Sequence, residues 1–262
     1  MRQEPSQDEL VSIHGFGDAD STDRRDFYLR VTHADVAPFE RAISTAHDQI
    51  QKDTHRSFGF VEDVEERTAL QHRLATLLDA LFSAHPELSY YQGYHDIVAF
   101  LLIAFPDDDA AFAVAERLAV THFRPFLLSF QHIDRIYAAI VALVERVDRS
   151  YGATLANLPT GMTFAFPWII TWFLHTTQDT RLGLRMLDYF IGRDDEAVAR
   201  VVAAIFLLHR DAVLALDLDD EGEVMIFFTQ LPKTFDDVSL TRYFIAADRL
   251  KSPSATFESL TQ

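Results

Sequence analysis

The sequence contains no cysteine. Among its 262 residues this absence is complete. It excludes disulfides, thiolate metal sites and cysteine nucleophiles, and it favours a reducing compartment over secretion. We therefore expect a protein domain that is exposed to the cytosol.

Basic residues are scarce relative to acidic ones. The chain has 23 Lys and Arg against 40 Asp and Glu, which gives a formal net charge of −17. A surplus of negative charge repels the phosphate backbone of nucleic acids and the surface of anionic membranes. Nucleic acid is therefore not expected as a partner.

Long hydrophobic runs are also missing. The two longest unbroken apolar runs, Ile97–Phe105 and Val201–Leu208, contain nine and eight residues, whereas a membrane-spanning helix needs ~20. The N-terminal residues are acidic where a targeting signal would have a basic head and an apolar segment. We expect no targeting signal and no membrane insertion by this sequence, so that any membrane anchor would lie outside it.

The signatures of common catalytic and metal sites do not occur. The chain has no HExxH, no GxxxxGKS or GxxxxGKT, no GxGxxG and no GxSxG, so it lacks a recognisable zinc site, phosphate cradle or nucleophile elbow. The acidic run from Asp217 to Phe228 lacks the glutamate that completes a calcium loop, and it is predicted to be a solvated loop. No metal site and no cofactor are predicted, and any chemistry on a nucleotide would take place on another protein.

Helical periodicity is the dominant pattern. Nearly half of the residues are apolar and 22 are Phe, which indicates a core packed around aromatic side chains. Apolar residues recur at three-and-four spacing from Glu65 to Phe82 and from Ile133 to Val147, as on one face of a helix. Further helical patterns cover Asp109–Val120, Phe166–His175, Arg181–Ile191 and Glu196–His209. Because no set of alternating strands bounded by turns accompanies them, the predicted fold class is all-α with no significant sheet.

Composition also suggests where domains begin and end. Residues 1–20 mix Gly, Ser, Pro and Asp without periodicity and are predicted to be a flexible lead-in. The segment Tyr151–Met162, YGATLANLPTGM, is the most turn-rich part of the interior. We therefore predict an N-terminal helical subdomain at 21–155 and a C-terminal helical subdomain at 156–262.

Two short segments combine polar side chains in unusual ways. In IQKDTHR, Asp53 and Arg56 are three residues apart and would share one face of a helical turn. In YYQGYHDIV, a helix that begins near Tyr91 or Gln92 would place Gln92 and Asp96 on one stripe. Spacing alone leaves ordinary roles open, namely a surface ion pair in the first segment and satisfied backbone donors at a helix start in the second.

Together these segments resemble the TBC domain of Rab GTPase-activating proteins. The first matches the family motif IxxDxxR and the second matches YxQG. A third block, FAFPWIITWFLHTTQDTRLGLRMLDYFI, resembles the family segment with an early tryptophan and a late RxxD pair. The matching positions are Ile50, Asp53, Arg56, Tyr90, Gln92, Gly93, Trp168 or Trp172, Arg185 and Asp188. The residues of the third block are interpreted as core and scaffold.

The resemblance implies a role for each residue of the first two motifs. The partner would be a GTP-bound Rab, and the GTP and Mg²⁺ would belong to that partner. Arg56 would supply positive charge in trans as an arginine finger, and Gln92 would orient the attacking water as a glutamine finger. The supporting residues would be Asp53, Tyr90 and Gly93, and the candidate Rab contacts are Tyr91, His95 and Asp96.

The amino-acid sequence of the second and third blocks is most similar to that of one branch of the family. That branch is tethered to the cytosolic face of the endoplasmic reticulum and acts in traffic from there to the Golgi. The chain would then be an activator of its partner's hydrolysis and not a hydrolase by itself. A catalytically silent Rab-binding scaffold or effector remains the main alternative, and an unrelated helical interaction domain is a further one. The presence of both Arg56 and Gln92 favours the activator.

Overall fold

The structure, a computed structural model, describes residues 21–177 and 179–261, and no strand occurs in these ranges. The predicted all-α fold class is confirmed. The predicted lead-in at 1–20 lies outside the described residues. The α-helices are α1 (Ser21–Thr32), α2 (His47–Thr54), α3 (Val64–Ala84), α4 (Tyr94–Ala104), α5 (Asp108–Val120), α6 (Arg124–Leu128), α7 (Ile133–Val147), α8 (Arg149–Ala156), α9 (Phe166–Ile170), α10 (Thr180–Ile191), α11 (Ala197–Leu208), α12 (Arg210–Leu214), α13 (Glu221–Gln230), α14 (Asp237–Arg249) and α15 (Phe257–Thr261). Short 3₁₀ helices cover Phe130–His132, Thr163–Ala165 and Leu231–Thr234.

Aspartate side chains define the start of several helices. The carboxylate of Asp63 accepts a hydrogen bond from the Glu66 N–H at 2.8 Å and caps α3. The same kind of cap starts α5, α8, α10, α13 and α14, at Asp107, Asp148, Asp179, Asp220 and Asp236. A carboxylate at a helix N-terminus satisfies an unpaired N–H and opposes the positive end of the helix dipole. Part of the acidic surplus therefore specifies helix boundaries.

The described residues form two compact units. The first contains residues 21–130 together with 170–192, and the second contains 131–169 together with 193–261. This division differs from the predicted single boundary after residue 155. The reason is packing: α7 packs on α8 and α11, whereas α10 packs on α1 and α4.

The core of the first unit surrounds α4. Beyond its first turn this helix is apolar on all sides, and its residues Ile97, Val98 and Leu101 are fully buried against helices that include α3, α5 and α10. At Gly183 of α10 an added Cβ would lie 2.1 Å from the Phe100 ring, so the glycine permits the close approach of α10 and α4. The packing immobilises α4 and with it the turn that precedes it.

The second unit has an aromatic core. The rings of Phe164 and Phe228 stack with their centroids 4.0 Å apart, and Trp168 packs on Phe206 and Phe228. Trp168 is therefore a core residue, as the sequence predicts. No helix in either of the described ranges has the length and apolar content needed to cross a membrane.

Two predicted helix boundaries are wrong. Helix α4 begins at Tyr94 and not at Tyr91 or Gln92, because Gly93 adopts φ 120° and cannot continue a helix backwards. Gln92 and Asp96 consequently do not share a helical stripe.

The predicted helix Phe166–His175 ends at Ile170. The next residues form turns in which Trp172 and Phe173 have φ values of 48° and 65°. Both rings are buried, and both stack on Phe190 of α10. Aromatic burial therefore outweighs the local helical pattern.

Candidate functional site

Asp53 and Arg56 lie at the C-terminal end of α2. The Arg56 Nη2 atom is 2.5 Å from Asp53 Oδ1. The exposed fraction of the side chain is 1% for Asp53 and 53% for Arg56. A buried, immobile carboxylate thus holds a guanidinium group that still faces solvent.

The Asp53 carboxylate also accepts hydrogen bonds from two other side chains. Gln49 Nε2 lies 3.2 Å from each carboxylate oxygen, and the Tyr90 hydroxyl lies 2.7 Å from Oδ2. These donors satisfy a charge that would be costly to bury alone. Burial and the neighbouring Asp53 raise the pKa of Tyr90, so its hydroxyl stays protonated and donates.

The turn from Tyr90 to Gly93 is fixed on both sides of Gln92. The buried Tyr91 donates its hydroxyl to the Ile170 carbonyl at 2.6 Å. Gly93 is buried, and a Cβ there would lie 2.9 Å from the Thr171 methyl group. Gln92 itself is exposed, and its side chain has no hydrogen-bond partner among the described residues. The turn therefore presents an unengaged amide on a rigid base.

A second set of side chains extends the network beyond Gly93. His95 Nδ1 accepts from the Gly93 N–H at 3.2 Å and lies 3.2 Å from the Tyr90 hydroxyl. Asp96 lies between two histidines, with Oδ1 3.4 Å from His95 Nε2 and Oδ2 2.9 Å from His175 Nδ1. Burial lowers the pKa of His95, and the hydrogen bond to Asp96 raises the pKa of His175.

A groove of about 480 Å³ adjoins this network. Arg56, His95, Asp96 and His175 supply its polar wall, and Ala99, Phe100, Ile103 and Leu174 are among its apolar lining residues. Phe58, two residues after Arg56, has φ 60°, and such a backbone is strained in a residue other than glycine. The exposed Phe60 ring packs edge-on against Phe58 at the same groove.

The site offers positive charge and hydrogen bonds. Arg56 can neutralise negative charge and Gln92 can orient a polar group, while Asp53 is fully engaged in holding its neighbours. Within residues 21–177 and 179–261, no group of three or more His, Asp or Glu side chains could hold a metal ion.

The network joins most of the residues that the sequence singles out. The connected residues are Asp53, Arg56, Tyr90, Gly93, His95 and Asp96. Gln92 is positioned by its neighbours in the chain. Tyr91, a candidate Rab contact, is 7% exposed and its hydroxyl donates to the Ile170 carbonyl. His95, another candidate contact, is likewise buried.

Two members of the network were not predicted. Gln49 precedes Asp53 by four residues, and this spacing on a helix could have identified it. His175 is separated from Asp96 by 79 residues, and it reaches the site only because the chain leaves the helical path after Ile170. No local pattern indicates that contact.

Comparisons with known proteins bear on the family of the chain. The family model described as Rab-GTPase-TBC domain matches residues 31–214. TBC1 domain family member 20 from Homo sapiens is 30% identical over 200 residues, which cover 74% of this chain and 48% of that protein. The GTPase-activating protein gyp10 from Schizosaccharomyces pombe is 29% identical over 194 residues, which cover 72% of this chain and 52% of that protein. The chain thus spans about half the length of these curated relatives.

A solved structure has the same fold. The crystal structure of the Chlamydomonas flagellar RabGAP TBC domain aligns with 92% of this chain and 80% of its own, with a TM-score of 0.61 and 14% identity. The family model covers more than half of the sequence. The chain therefore belongs to the Rab-GTPase-TBC domain family.

Proposed function

We propose that this domain stimulates GTP hydrolysis by a Rab family small GTPase, to which it supplies Arg56 and Gln92 in trans. One observation carries the proposal. A single buried carboxylate, Asp53, holds the exposed guanidinium of Arg56 and bonds to Tyr90 at the start of the turn that presents Gln92. Both side chains therefore project from one rigid framework.

The chemistry takes place entirely on the partner. Water attacks the γ-phosphorus of GTP, the bond to the β-phosphate oxygen breaks, and GDP and inorganic phosphate are released. A small GTPase does this slowly by itself, and an arginine supplied in trans contributes about 10³–10⁵ in rate. Arg56 would stabilise the charge that develops on the phosphoryl oxygens, and Gln92 would orient the water. GTP and Mg²⁺ would arrive with the Rab, and the domain would need no cofactor of its own.

Preorganisation is what the network contributes to this reaction. An arginine that must first be ordered loses part of its effect, whereas one already held by Asp53 does not. The ion pair with Asp53 leaves Arg56 half-exposed, so the guanidinium can still approach a bound phosphate.

The cellular setting belongs to the same proposal. The branch that the sequence most resembles supports a role in traffic from the endoplasmic reticulum to the Golgi, at the cytosolic face of the endoplasmic reticulum. A tether would have to come from outside the residues described here. A GTP-bound Rab of that pathway would be the substrate.

The test is phosphate release from a panel of GTP-loaded Rabs. Wild type should accelerate release from at least one Rab, and Arg56→Ala should reduce the acceleration by about 10³-fold or more. Arg56→Lys should fail similarly, because a point charge on a flexible stem does not reproduce the planar fork. Gln92→Ala should also abolish most of the stimulation.

Matched controls come from exposed residues outside the network. Arg135→Ala on α7 and Gln51→Ala on α2 remove the same chemical groups and should leave the stimulation unchanged. If wild type binds a GTP-loaded Rab without accelerating hydrolysis, the domain is instead a scaffold or effector. If both Arg56→Ala and Gln92→Ala stimulate like wild type, the two-finger mechanism is wrong.

A further inference from the structure

We propose that His95 is a positioning residue for Gln92, and that it acts by accepting the Gly93 N–H at Nδ1 and so holding the turn that presents the amide. This role deepens the proposed function and rests on it. His95 does not touch the partner, because only 3% of it is exposed.

The hydrogen bond from Gly93 selects the tautomer of the ring. The Tyr90 hydroxyl directs its proton to Asp53 at 2.7 Å, so it has none left for His95. The Gly93 N–H is then the donor to Nδ1, at 3.2 Å. On the other side of the ring, Nε2 lies 3.4 Å from Asp96 Oδ1, a close electrostatic contact. The acceptor role of Nδ1 toward Gly93 makes His95 a neutral ring with its proton on Nε2, where the nearby Asp96 carboxylate favours it.

The Gly93 N–H matters because of where it lies. It belongs to the peptide unit that directly follows Gln92, and it precedes the first residue of α4, where helix geometry leaves N–H groups without an intrahelical partner. The His95 ring, two residues further on, satisfies this donor and ties the turn to the helix. Together with the bond from Tyr91 to Ile170, it clamps the backbone on both sides of Gln92.

The same ring also lies next to Tyr90, one of the residues that fix the carboxylate holding Arg56. Its Nδ1 is 3.2 Å from the Tyr90 oxygen, and Tyr90 is bonded to Asp53. The supports of both fingers therefore converge on one buried imidazole. A displaced ring would disturb the Gln92 turn directly and Arg56 only through two further contacts.

Charged and titratable groups surround the ring. They are Asp53 and Arg56 from the end of α2, Tyr90 from the turn, Asp96 from α4 and His175 from the segment after α9. Burial lowers the pKa of His95 despite the opposing effect of Asp96, which favours the neutral ring at neutral pH. A proton on Nδ1 would face the Gly93 N–H and break the clamp.

Two near-isosteric variants separate the two sides of the ring. His95→Asn can place its Oδ1 acceptor near the position of Nδ1 but cannot reach Asp96. His95→Gln can place an N–H near the position of Nε2 but offers no acceptor to Gly93. With a Rab that wild type activates, Asn should retain kcat within about tenfold, and Gln and Ala should lose roughly a hundredfold. KM should change little, since the ring is buried.

The effect should also depend on Gln92. In a Gln92→Ala background, most of the loss caused by His95→Ala should disappear, because a residue that acts through Gln92 cannot matter once the amide is gone. A full loss in that background would overturn the proposal. So would wild-type kcat in both His95→Ala and His95→Gln while Gln92→Ala is impaired, and that result would leave the proposed function intact.

A measurement on the isolated wild-type domain covers the case in which a variant fails to fold. Long-range ¹H–¹⁵N spectra of the histidine side chains at neutral pH should show His95 as the neutral Nε2–H tautomer. Protonation at Nδ1 would overturn the proposal whatever the variants do. If wild type activates no Rab in the panel, the proposed function itself fails, and the positioning role fails with it.

Discussion

Asp53 and Arg56 form an ion pair whose two members have opposite exposure. The carboxylate is 1% exposed and the guanidinium is 53% exposed. An ion pair between two exposed residues contributes little, because both side chains lose freedom when they meet. Here the carboxylate is already fixed by Gln49 and Tyr90, so only Arg56 has to be ordered. The pair is therefore suited to holding the Arg56 guanidinium in a fixed orientation.

The first prediction concerns the charge of Asp53. Asp53→Asn keeps the size of the side chain but removes the negative charge that holds Arg56, and the amide competes as a donor. We expect kcat for stimulated GTP hydrolysis to fall by roughly ten- to a hundredfold. Single-turnover phosphate release at saturating domain measures this. The exposed neighbour Asp48 is the control, and equal rates for Asp48→Asn and Asp53→Asn would contradict the role of the carboxylate.

The second prediction concerns the Tyr90 hydroxyl. Tyr90→Phe keeps the edge-to-face contact with Phe82, whose ring centroid is 5.4 Å away, and removes the hydrogen bond to Asp53. Because that acceptor is charged and buried, the free energy of unfolding should fall by about 1–3 kcal/mol. Urea denaturation measures the loss. Tyr137→Phe on α7 is the comparison, and a hydroxyl there should matter less, since Tyr137 is only half-buried.

The sequence predicts the fold well where one face of a helix carries the pattern. The bounds of helices α3 and α7 agree to within a few residues with the periodic segments Glu65–Phe82 and Ile133–Val147. It predicts boundaries poorly where distant parts of the chain decide them. The turn before α4 depends on the contact of Gly93 with Thr171, which lies far away along the chain.

The site was predictable to a similar extent. Asp53 and Arg56 are three residues apart, and their pairing follows from helix geometry alone. The connection from Asp53 to Tyr90 and the approach of His175 to Asp96 are tertiary contacts. Such contacts have no periodic signature, so the sequence indicates most members of the network but neither Gln49 and His175 nor the order in which the members are connected.

The third prediction concerns the conformation of Gly93. A side chain is strained at φ 120°, and a Cβ would meet the Thr171 methyl at 2.9 Å. Gly93→Ala should therefore lower the free energy of unfolding by about 1–3 kcal/mol and move Gln92. Gly161→Ala provides the matched control, because Gly161 has φ 57° but open space around the position of a Cβ. A smaller loss at Gly93 than at Gly161 in chemical denaturation would contradict the role of Thr171.

The fourth prediction concerns Asp188 in the core of the first unit. Its carboxylate accepts from Arg24 Nε at 2.9 Å and from the Tyr28 hydroxyl at 2.7 Å. Asp188→Asn removes a charged partner of the buried Arg24, and removal of one member of a buried ion pair typically costs about 3–5 kcal/mol. Urea denaturation of the variant should show this loss. The exposed Asp26→Asn should change stability by less than about 0.5 kcal/mol, and similar stabilities for the two variants would contradict the burial of the pair.

The fifth prediction is a dependence of stability on pH through His175 and Asp96. The hydrogen bond from His175 Nδ1 to the Asp96 carboxylate raises the pKa of His175 in the folded state. A raised pKa means that folding favours the protonated ring. The resulting stabilisation is complete below the unfolded value of about 6.5 and is lost as pH rises through the folded pKa.

His175→Asn should therefore destabilise the domain more at about pH 5.5 than at about pH 8.5, the two sides of the ordinary histidine pKa. Urea midpoints of wild type and variant, compared at each pH, measure the difference and cancel the titration of other groups. His33→Asn, at an exposed histidine of the same unit, is the control and should show no such trend. If the difference between wild type and His175→Asn is equal at both pH values, Asp96 does not stabilise a protonated His175 ring. The ring would then pair with Asp96 in its neutral form.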